Sequence, residues 1–595
     1  MKKKVSDILA DFLKEKKIKV VFGIIGSANS HIFDSINNLG YTRIINTHHE
    51  QAAVMAAGAY YRGSGKISVA IVTAGAGSSN AITGVISNWA DSIPCLIISG
   101  QEPIRYINRD KNLRMYGTQG FNSVKMVKDV TKYAVAISDP NKITKELAVA
   151  TNHALSSRPG PCWIDIPFDI QGEMIQKKKF PLFKVRKEIN KKEIKKIVSE
   201  LNKSSRPLIL GGNGIKLSRA KKEFKKFVDQ VNIPTLLTWS GIDLLENQNP
   251  NFYGRFGIYG QRCANFIIQN SDLIIVFGSR LAIPQIGYDF SQFAPNAKII
   301  IVDIDEKEGE KYKINQHIKA DCKDVLIELN QLNKNISIKK NKWIKYCDNL
   351  KLKYPLISLE HETEGYENSY KFIDTFSNFI GDDDIIVTDM GTALLSGHQA
   401  IKLKKNQVMF TSLGLGEMGY GLPGALGAGL AFPERKVICL NCDGGIMMNL
   451  QELHTIIENN VNVKIVIFNN DGYLMIKHTQ NMMFKGRYNS VDKKTGVGLP
   501  NFKKLLPAFG YNYYRFDIED REYSIKSFLD DPNPSVLEVF MDPEQQFVPK
   551  VKGVLNEDNT IFSPPIEEMS PLLDLDLIEK EMIKGISVKS KAIKR

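Results

Sequence analysis

The chain has 595 residues, and a domain takes about 100–200, so the length predicts three or four domains with large cores. A hydrophobic fraction of 43% and a charged fraction of 24% are those of an ordinary globular protein, and no apolar run reaches the roughly 18–20 residues that span a bilayer. The net charge of +14 comes mostly from scattered lysines with acidic neighbours, so we expect neither nucleic acid nor a membrane as partner, although a positive field helps to gather anionic substrates.

The N-terminal segment has three lysines followed by apolar residues at helical spacing, with charged residues between them: Val5, Ile8, Leu9, Phe12 and Leu13. This pattern predicts an amphipathic helix rather than the unbroken apolar stretch of a signal peptide, so we expect a cytoplasmic protein. The seven cysteines are odd in number and widely spread, which argues against a disulfide framework. Cys439 and Cys442 form one CxxC without the second pair of a zinc site, and we expect them to pack in the core.

Short runs rich in Val and Ile alternate with helical stretches along the whole chain, at residues 68–72, 96–99, 207–210, 273–277, 298–302, 384–387, 436–440 and 463–468. Such strands predict an α/β fold with parallel sheets that helices cover on both faces. Lysine-rich stretches at about 171–190 and 333–342 resemble linkers. We therefore predict three doubly wound domains, at 1–170, 190–332 and 365–545, and a tail at 546–595 that either wraps over the body or is partly disordered.

In the first block, His48-His49-Glu50 precedes an alanine-rich helical stretch. A metal site is one hypothesis, but adjacent histidines on an extended segment point in opposite directions and chelate one ion poorly. Glu50 on its own would more often be a helix-start carboxylate, which the helix dipole favours. A glycine-rich turn from Thr73 to Asn80 follows a predicted strand, and Gln119 lies further along the block.

The middle block carries turns at the ends of its predicted strands, which include Gly212, Gly278, Arg280 and Asp303. In the third block, Met418 and Gly419 lie between two glycine-rich turns. A methionine most often belongs to the core, but this setting favours a functional role.

The strongest pattern lies further on, where Asp443-Gly444-Gly445 ends one strand and Asn469-Asn470-Asp471-Gly472-Tyr473 ends the next. Asp443 and Asn470 are 27 residues apart, which is one strand–helix–strand unit, so both side chains should emerge at the same sheet edge. A carboxylate, an amide oxygen and a backbone carbonyl are hard ligands that suit Mg²⁺, together with phosphate oxygens and water. The helix after Gly445 offers amide donors to the same phosphates.

These motifs resemble the thiamine-diphosphate-dependent enzymes, and within them the large subunit of acetolactate synthase, over about residues 5–545. The resemblance implies Mg²⁺ ligands at Asp443, Asn470 and the carbonyl of Gly472, and a catalytic Glu50 that activates the cofactor, with Gln119 at the reacting centre. It implies cofactor contacts at Thr73, Asn80, Met418, Gly419, Asp443, Gly444, Gly445, Asn470 and Tyr473, with Met418 bending the cofactor.

The resemblance also implies FAD along the middle block, at Gly212, Gly278, Arg280 and Asp303; the alternative is an empty middle domain. Active sites in this family lie between two subunits, so a homodimer or a tetramer is expected. The donor implied is a 2-oxo acid, pyruvate, whose two-carbon acyl unit passes to a carbonyl acceptor.

The chain departs from the family's pattern at positions that choose the acceptor. Pro284 stands where an acceptor-binding arginine is expected, Thr479 where a tryptophan is expected, and Ser27 and Cys442 replace glycines. The run after Gly472 resembles a side branch associated with branched-sugar or surface-glycan synthesis. Acetolactate synthesis, acyl transfer to a keto-sugar and simple decarboxylation therefore stay open, whereas a non-catalytic protein would require the loss of Glu50 or Asp443.

Overall fold

The strands of this protein are buried on both faces, because helices cover each side of the sheets that they form. The computed structural model describes residues 2–107, 113–183, 190–310, 314–336, 341–555 and 561–595. Three six-stranded parallel sheets follow one another along the chain, which confirms the predicted α/β fold of three doubly wound sheets. In the described part of the chain, no helix is both long and apolar enough to cross a membrane.

The first block has the strands β1 Lys2–Lys4, β2 Val20–Gly23, β3 Arg43–Asn46, β4 Val69–Val72, β5 Leu96–Gln101, β6 Tyr133–Ala136, β7 Cys162–Pro167 and β8 Met174–Gln176. Its helices are α1 Val5–Glu15, α2 Ser30–Leu39, α3 Glu50–Ser64, α4 Ala76–Asn80, α5 Ile82–Ala90, α6 Ser123–Val127, α7 Ile143–Leu155 and α8 Phe168–Gly172. The sheet order is β3-β2-β4-β5-β7-β6. The predicted N-terminal helix is confirmed by α1, which buries its apolar side chains.

Part of the segment predicted as a linker at 171–190 is regular structure. β8 pairs with β1 in an antiparallel ribbon, with Lys3 opposite Ile175. Lys177 then makes an ion pair with Asp11 of α1 at 3.0 Å. The start of the predicted linker is therefore held on the first block by a strand pairing that its lysine-rich composition does not reveal.

The middle block has the strands β9 Pro207–Gly211, β10 Thr235–Leu237, β11 Phe252–Arg255, β12 Leu273–Phe277, β13 Lys298–Asp303 and β14 Gln316–Lys319. Its helices are α9 Lys191–Lys203, α10 Asn213–Leu217, α11 Lys221–Val231, α12 Arg262–Asn270, α13 Ile283–Ile286, α14 Cys322–Leu332 and α15 Asn341–Lys353. The sheet order is β11-β10-β9-β12-β13-β14. The second predicted linker, at 333–342, begins with a 3-10 turn at Asn333–Asn335, and α15 starts at its end.

The third block has the strands β15 Ile385–Thr388, β16 Val408–Phe410, β17 Val437–Cys442, β18 Val463–Asn469, β19 Asn512–Arg515 and β20 Ser535–Phe540. Its helices are α16 Ser369–Phe376, α17 Thr392–Ala400, α18 Gly421–Ala431, α19 Asp443–Ile446, α20 Glu452–Glu458, α21 Leu474–Phe484, α22 Phe502–Ala508 and α23 Arg521–Asp530. The sheet order is β16-β15-β17-β18-β20-β19.

The tail has the short strands β21 Lys550–Val551, β22 Val554–Leu555, β23 Ile561–Phe562 and β24 Met569–Ser570, and the helices α24 Leu575–Glu581 and α25 Val588–Lys591. Its side chains Ile566, Met569 and Ile578 enter the same apolar cluster as Phe266 of the middle block. Asn265 donates to the Ile566 carbonyl at 2.7 Å. Of the two alternatives for the tail, its described part wraps over the middle block.

The first and third blocks contact each other through two helices. The backbones of α3 and α18 approach so closely that a Cβ on Gly427 would lie 2.2 Å from the Ala56 carbonyl oxygen. The middle and third blocks meet at the buried Arg255, which donates to the carbonyls of Gln399 and Ile401. Within one chain, the three blocks are therefore packed together rather than strung on open linkers.

Candidate active site

The predicted metal-binding residues lie at one edge of the third sheet. β17 and β18 are parallel neighbours, with Cys442 opposite Phe468 in the pairing register. Asp443 follows the first strand and Asn470 the second, so the chain brings the two side chains together at the carboxyl ends of adjacent strands. One Asp443 oxygen accepts hydrogen bonds from the backbone N–H of Asn470 at 2.9 Å and of Gly472 at 3.1 Å.

The Asp443 carboxylate is fully buried, and its pKa is raised to about 7 by that burial. Three backbone N–H groups oppose the effect, including that of Gly444 at 2.7 Å. The Asn470 side-chain oxygen is also buried and has no hydrogen-bond partner among the described residues. A buried amide oxygen without a partner is unfavourable unless something else binds it, and with the adjacent carboxylate it fits a cation that prefers hard oxygen ligands.

The donor set at this edge is small. In the part of the chain that the structure describes, no group of three or more His, Cys, Asp or Glu side chains is arranged to hold a metal. A cation here would depend on one carboxylate, one amide and backbone oxygens, which is the set that the sequence predicted. Gly472 has a φ of +133°, and a Cβ there would lie 2.0 Å from the Val491 carbonyl oxygen, so only glycine fits this turn.

The residues around Asp443 pack closely over the first turn of α19. A Cβ on Gly444 would lie 2.4 Å from the Tyr473 ring, and its next neighbour would be the Met418 methyl group at 3.7 Å. Gly419 has a φ of +89° and donates its N–H to Asp389 at 2.9 Å. Met418, Gly419, Gly444 and Tyr473 are therefore brought to the same sheet edge as the predicted metal ligands.

Asp389 is a further acidic group at this edge that sequence reasoning missed. It follows β15, the strand beside β17, and its N–H donates to the Leu440 carbonyl at 2.8 Å. Its carboxylate is fully buried, with a pKa that burial raises to about 7. A Cβ on Gly445 would lie 2.8 Å from it. A polar residue directly after a buried strand was the available signal, since carboxyl ends of parallel strands share one edge.

Cys442, where the family pattern has glycine, connects the end of β17 to the start of α17. Its thiol donates to the Met390 carbonyl at 3.3 Å and accepts from the N–H of Ala393 at 3.3 Å. All seven cysteines are free and buried. The expectation that Cys439 and Cys442 pack in the core is confirmed.

In the first block, Glu50 begins α3 and is 8% exposed. One of its carboxylate oxygens accepts a hydrogen bond from Asn80 at 3.0 Å. A Cβ on Gly77 would lie 2.7 Å from the Thr73 methyl group and 3.3 Å from the other Glu50 oxygen. The predicted residues Glu50, Thr73 and Asn80 therefore surround one glycine-rich turn.

The neighbouring histidines have separate partners and do not join Glu50 in a metal site. His48 contacts Thr455 at 3.0 Å, and His49 caps α3 by accepting from the Gln51 N–H. Gln119 is exposed and lies against Gly75, whose φ is +67° and whose Cβ would be 2.8 Å from the Gln119 amide carbon. Gln119 is thus placed beside the same turn.

The Glu50 cluster and the Asp443 cluster are linked within one chain by residues next to them. Gln51 donates to Asn449 at 2.9 Å, and Asn449 donates to the Gly419 carbonyl at 2.7 Å. The hydrogen bond described for the Glu50 carboxylate itself, however, comes from Asn80 of its own block. The carboxylate thus contacts its own block, and the link to the third block runs through its neighbour.

The predicted flavin residues lie at the carboxyl edge of the middle sheet. The N–H of Gly212 donates to Phe277, and that of Gly278 donates to Val302, at 2.9 and 3.0 Å. A Cβ on Gly212 would lie 2.3 Å from the Gly278 carbonyl oxygen, so protein backbone already explains both glycines. The Asp303 carboxylate accepts a hydrogen bond from a backbone N–H of its own turn. Arg280 is exposed, and among the predicted flavin residues it is the one that offers a positive charge to a diphosphate.

The acceptor positions lie on two different elements. Pro284 is in α13, and its carbonyl accepts from the Ile258 N–H at 2.8 Å. Thr479 is exposed on α21, whose first residue follows Tyr473. Ser27 is exposed and adjoins Gly26, whose Cβ would lie 2.5 Å from the Thr73 hydroxyl. Ser27 is thus close to the turn that Glu50 faces.

Comparison with known proteins gives three family matches: "Thiamine pyrophosphate enzyme, N-terminal TPP binding domain" over residues 3–126, its central domain over 194–329, and its C-terminal TPP binding domain over 389–539. The acetolactate synthase isozyme 1 large subunit of Escherichia coli (strain K12) is 31% identical over 558 residues, 92% of this chain and 95% of that protein. A probable acetolactate synthase large subunit of Methanocaldococcus jannaschii is 31% identical over 96% of this chain and 98% of its own length. The acetolactate synthase large subunit of Lactococcus lactis is 29% identical over 93% and 96%.

Proposed function

Because the chain belongs to the thiamine pyrophosphate (thiamine diphosphate) enzymes, among the acetolactate synthase large subunits, we propose that its donor is pyruvate and that Glu50 and Asp443 serve its active site. The enzyme decarboxylates a 2-oxo acid and transfers the acyl unit, with thiamine diphosphate as its cofactor. The assignment of the site rests on the meeting of two buried groups at one sheet edge: the Asp443 carboxylate and the Asn470 side-chain oxygen, which has no hydrogen-bond partner in the described part of the chain.

Mg²⁺ is the metal that we propose, with Asp443, Asn470 and the Gly472 carbonyl as its protein ligands. Hard oxygen donors in this number leave positions for diphosphate oxygens and water, as Mg²⁺ requires. The experiment that tests the site measures CO₂ release from pyruvate by the cofactor-depleted protein after thiamine diphosphate and Mg²⁺ are restored separately and together. Release that needs both supports the proposal, and release that is independent of divalent metal contradicts it.

Thiamine diphosphate, when bound, supplies the nucleophilic carbon and the electron sink of the reaction. We propose that Glu50 holds and moves the proton that activates it, with Asn80 fixing the orientation of the carboxylate. We propose that Met418, whose methyl group lies near Gly444, would bend the cofactor, as the family resemblance implies. In the overall reaction, the bond between the carboxyl and carbonyl carbons of pyruvate breaks and CO₂ leaves. A new carbon–carbon bond forms to the acceptor carbonyl, whose oxygen takes a proton.

The acceptor that we propose is a carbonyl compound other than a second 2-oxo acid. Pro284 offers neither a charge nor a hydrogen-bond donor at the position where the family's arginine would bind a carboxylate. Thr479 is smaller than the tryptophan expected at its position and leaves more space for the acceptor. Direct competition between pyruvate and keto-sugars or aldehydes tests this choice by mass spectrometry of the products. Fast and exclusive acetolactate formation would instead support acetolactate synthesis, which the names of the relatives favour.

FAD is proposed for the middle block on the family resemblance and on the exposed Arg280 beside Gly278. Close contacts with protein backbone explain Gly212 and Gly278 without a bound flavin. The flavin proposal does not depend on the thiamine diphosphate site, and it is tested separately. Visible flavin absorbance of the purified protein, before and after incubation with FAD, tests it. A protein that neither carries nor takes up flavin would favour the empty middle domain.

A homodimer or a dimer of dimers is proposed, with Glu50 of one subunit facing Asp443 of the other. The arrangement rests on the family resemblance, and the hydrogen bond described for the Glu50 carboxylate comes from Asn80 of its own block rather than from the third block of the same chain. Mixing the inactive variants Glu50→Gln and Asp443→Asn tests it, because a mixed dimer contains one intact shared site. Recovery of roughly a quarter of the native rate is expected for random pairing, and no recovery would contradict shared sites.

A further inference from the structure

A cavity of about 260 Å³ lies between the first and middle blocks. Its walls include residues 61–65, at the end of α3, and Asn213, Lys216 and Arg219, in and just after α10. The volume is just below the roughly 300–1,000 Å³ of sites that hold drug-sized ligands, so the space suits a small molecule. We call this space the junction cavity.

The junction cavity is positively charged. Among the described residues that line it, Arg62, Lys216 and Arg219 are basic and none is acidic. Arg219 follows α10 with a φ of +56°, is exposed, and donates to the carbonyl of Gly65 in the first block. In the described part of the chain, no carboxylate pairs with Arg219, so its charge is available to an anion that enters the cavity.

The other two cations pair with carboxylates behind the walls of the cavity. The Nη2 atom of Arg62 lies 2.5 Å from an Asp91 oxygen, and the Nζ atom of Lys216 lies 2.8 Å from an Asp243 oxygen. Both aspartates have largely buried side chains, so each depends on its basic partner for compensation of its charge. The cavity therefore touches the cation of each of two buried ion pairs.

These two carboxylates hold one segment of the third block. Asp91 accepts hydrogen bonds from the N–H groups of Leu413 at 3.0 Å and Gly414 at 2.8 Å. Asp243 accepts from the N–H of Met409, in β16, at 3.4 Å. The cations of the junction cavity are thus connected, through one carboxylate each, to residues 409–414.

Residues 409–414 lead directly to Met418 and Gly419, at the edge where the diphosphate of the cofactor is proposed to bind. An anion beside Arg62 and Lys216 attracts these cations away from their aspartates. Buried carboxylates that lose their counter-charge are unfavourable, so the segment that they hold loses part of its support. Occupation of the junction cavity should therefore disfavour the arrangement of Met418 that binds cofactor.

We propose that the junction cavity binds a phosphate group, free or carried by a small metabolite, and that this binding lowers the affinity for thiamine diphosphate. Three cations around a small space favour a phosphate, whose charge is close to two at neutral pH, over a singly charged carboxylate. The planar guanidinium of Arg219 matches two phosphate oxygens, and Lys216 adds a point charge. The effect on the cofactor rests on the proposed function, in which Met418 contacts thiamine diphosphate.

Calorimetric titration of the full-length protein, saturated with thiamine diphosphate and Mg²⁺, tests the site while the diphosphate site is occupied. Inorganic phosphate and glycerol 1-phosphate are the two probes; binding of either supports the site, and the tighter one identifies the source of the phosphate group. Arg219→Gln should weaken binding by about tenfold or more, as the loss of a charged hydrogen bond predicts. Arg435→Gln is the control, because Arg435 also donates to backbone carbonyls but does not line the cavity.

A second titration measures the affinity for thiamine diphosphate at fixed Mg²⁺, with and without saturating phosphate. Phosphate should lower this affinity by about fivefold or more in the native protein, as is usual for coupled sites, and less in Arg219→Gln. An equal decrease in both proteins would place phosphate at the diphosphate site and overturn the proposal, as would phosphate affinity that Arg219→Gln leaves unchanged. A protein that binds thiamine diphosphate but no phosphate refutes this inference alone, whereas a protein that binds no thiamine diphosphate refutes the proposed function.

Discussion

Replacing Glu50 by glutamine should leave the protein folded and cofactor-bound while removing the group that moves the activating proton. The two side chains have nearly the same volume, and the amide oxygen of glutamine can still accept the hydrogen bond from Asn80, now 3.0 Å long. The loss of stability should therefore be limited to about 1 kcal/mol, the usual difference for one hydrogen bond.

The rate should fall by about 10²–10⁴, the usual contribution of a positioned acid–base group, which corresponds to about 3–5 kcal/mol of activation free energy. Two assays follow the change: steady-state CO₂ release from pyruvate, and exchange of the cofactor C2 proton with deuterated solvent, measured by NMR on quenched samples. The exchange rate should fall by a similar factor, because proton removal is the step assigned to Glu50.

Glu452→Gln is the matched control for this substitution. Glu452 is also a buried glutamate, and it accepts hydrogen bonds from the His48 N–H at 3.0 Å and the Thr455 hydroxyl at 2.7 Å. It should lose no more than about tenfold in rate, since one packing hydrogen bond is weakened. Near-native turnover of Glu50→Gln, or an equal loss in both variants, would refute the role given to Glu50.

Further predictions concern the sheet edge at which Asp443 and Asn470 meet. Asp443→Asn should weaken thiamine diphosphate binding by at least about 100-fold at fixed Mg²⁺, since it removes the charged ligand, and unchanged affinity in calorimetry would contradict the assignment. Gly472→Ala should cost about 1–3 kcal/mol more than Gly496→Ala, because both positions have positive φ but only Gly472 meets backbone within 4 Å; equal melting temperatures would contradict this. Cys442→Ala should lower the melting temperature because the Ala393 N–H loses its acceptor, and Cys442→Ser should restore most of it; identical melting of the two variants would show that the thiol contact contributes nothing.

The sequence was sufficient to predict that Asp443 and Asn470 meet at one sheet edge, because both residues belong to one local unit. Two apolar strands and the helix between them specify where Asp443 and Asn470 emerge, and the pairing of β17 with β18 follows from that connectivity. The eight apolar runs likewise predicted eight of the eighteen strands in the three six-stranded sheets to within two residues. Local periodicity encodes these features, since it depends only on neighbours in the chain.

Only the tertiary structure decided which distant segments meet. The placement of Asp389 beside Gly419, the pairing of β8 with β1, and the packing of the tail on the middle block join segments that no local pattern connects. The physical reason is that such contacts result from the packing of whole helices and sheets, in which many side chains act together, whereas a strand or a helix start is determined by a few neighbouring residues.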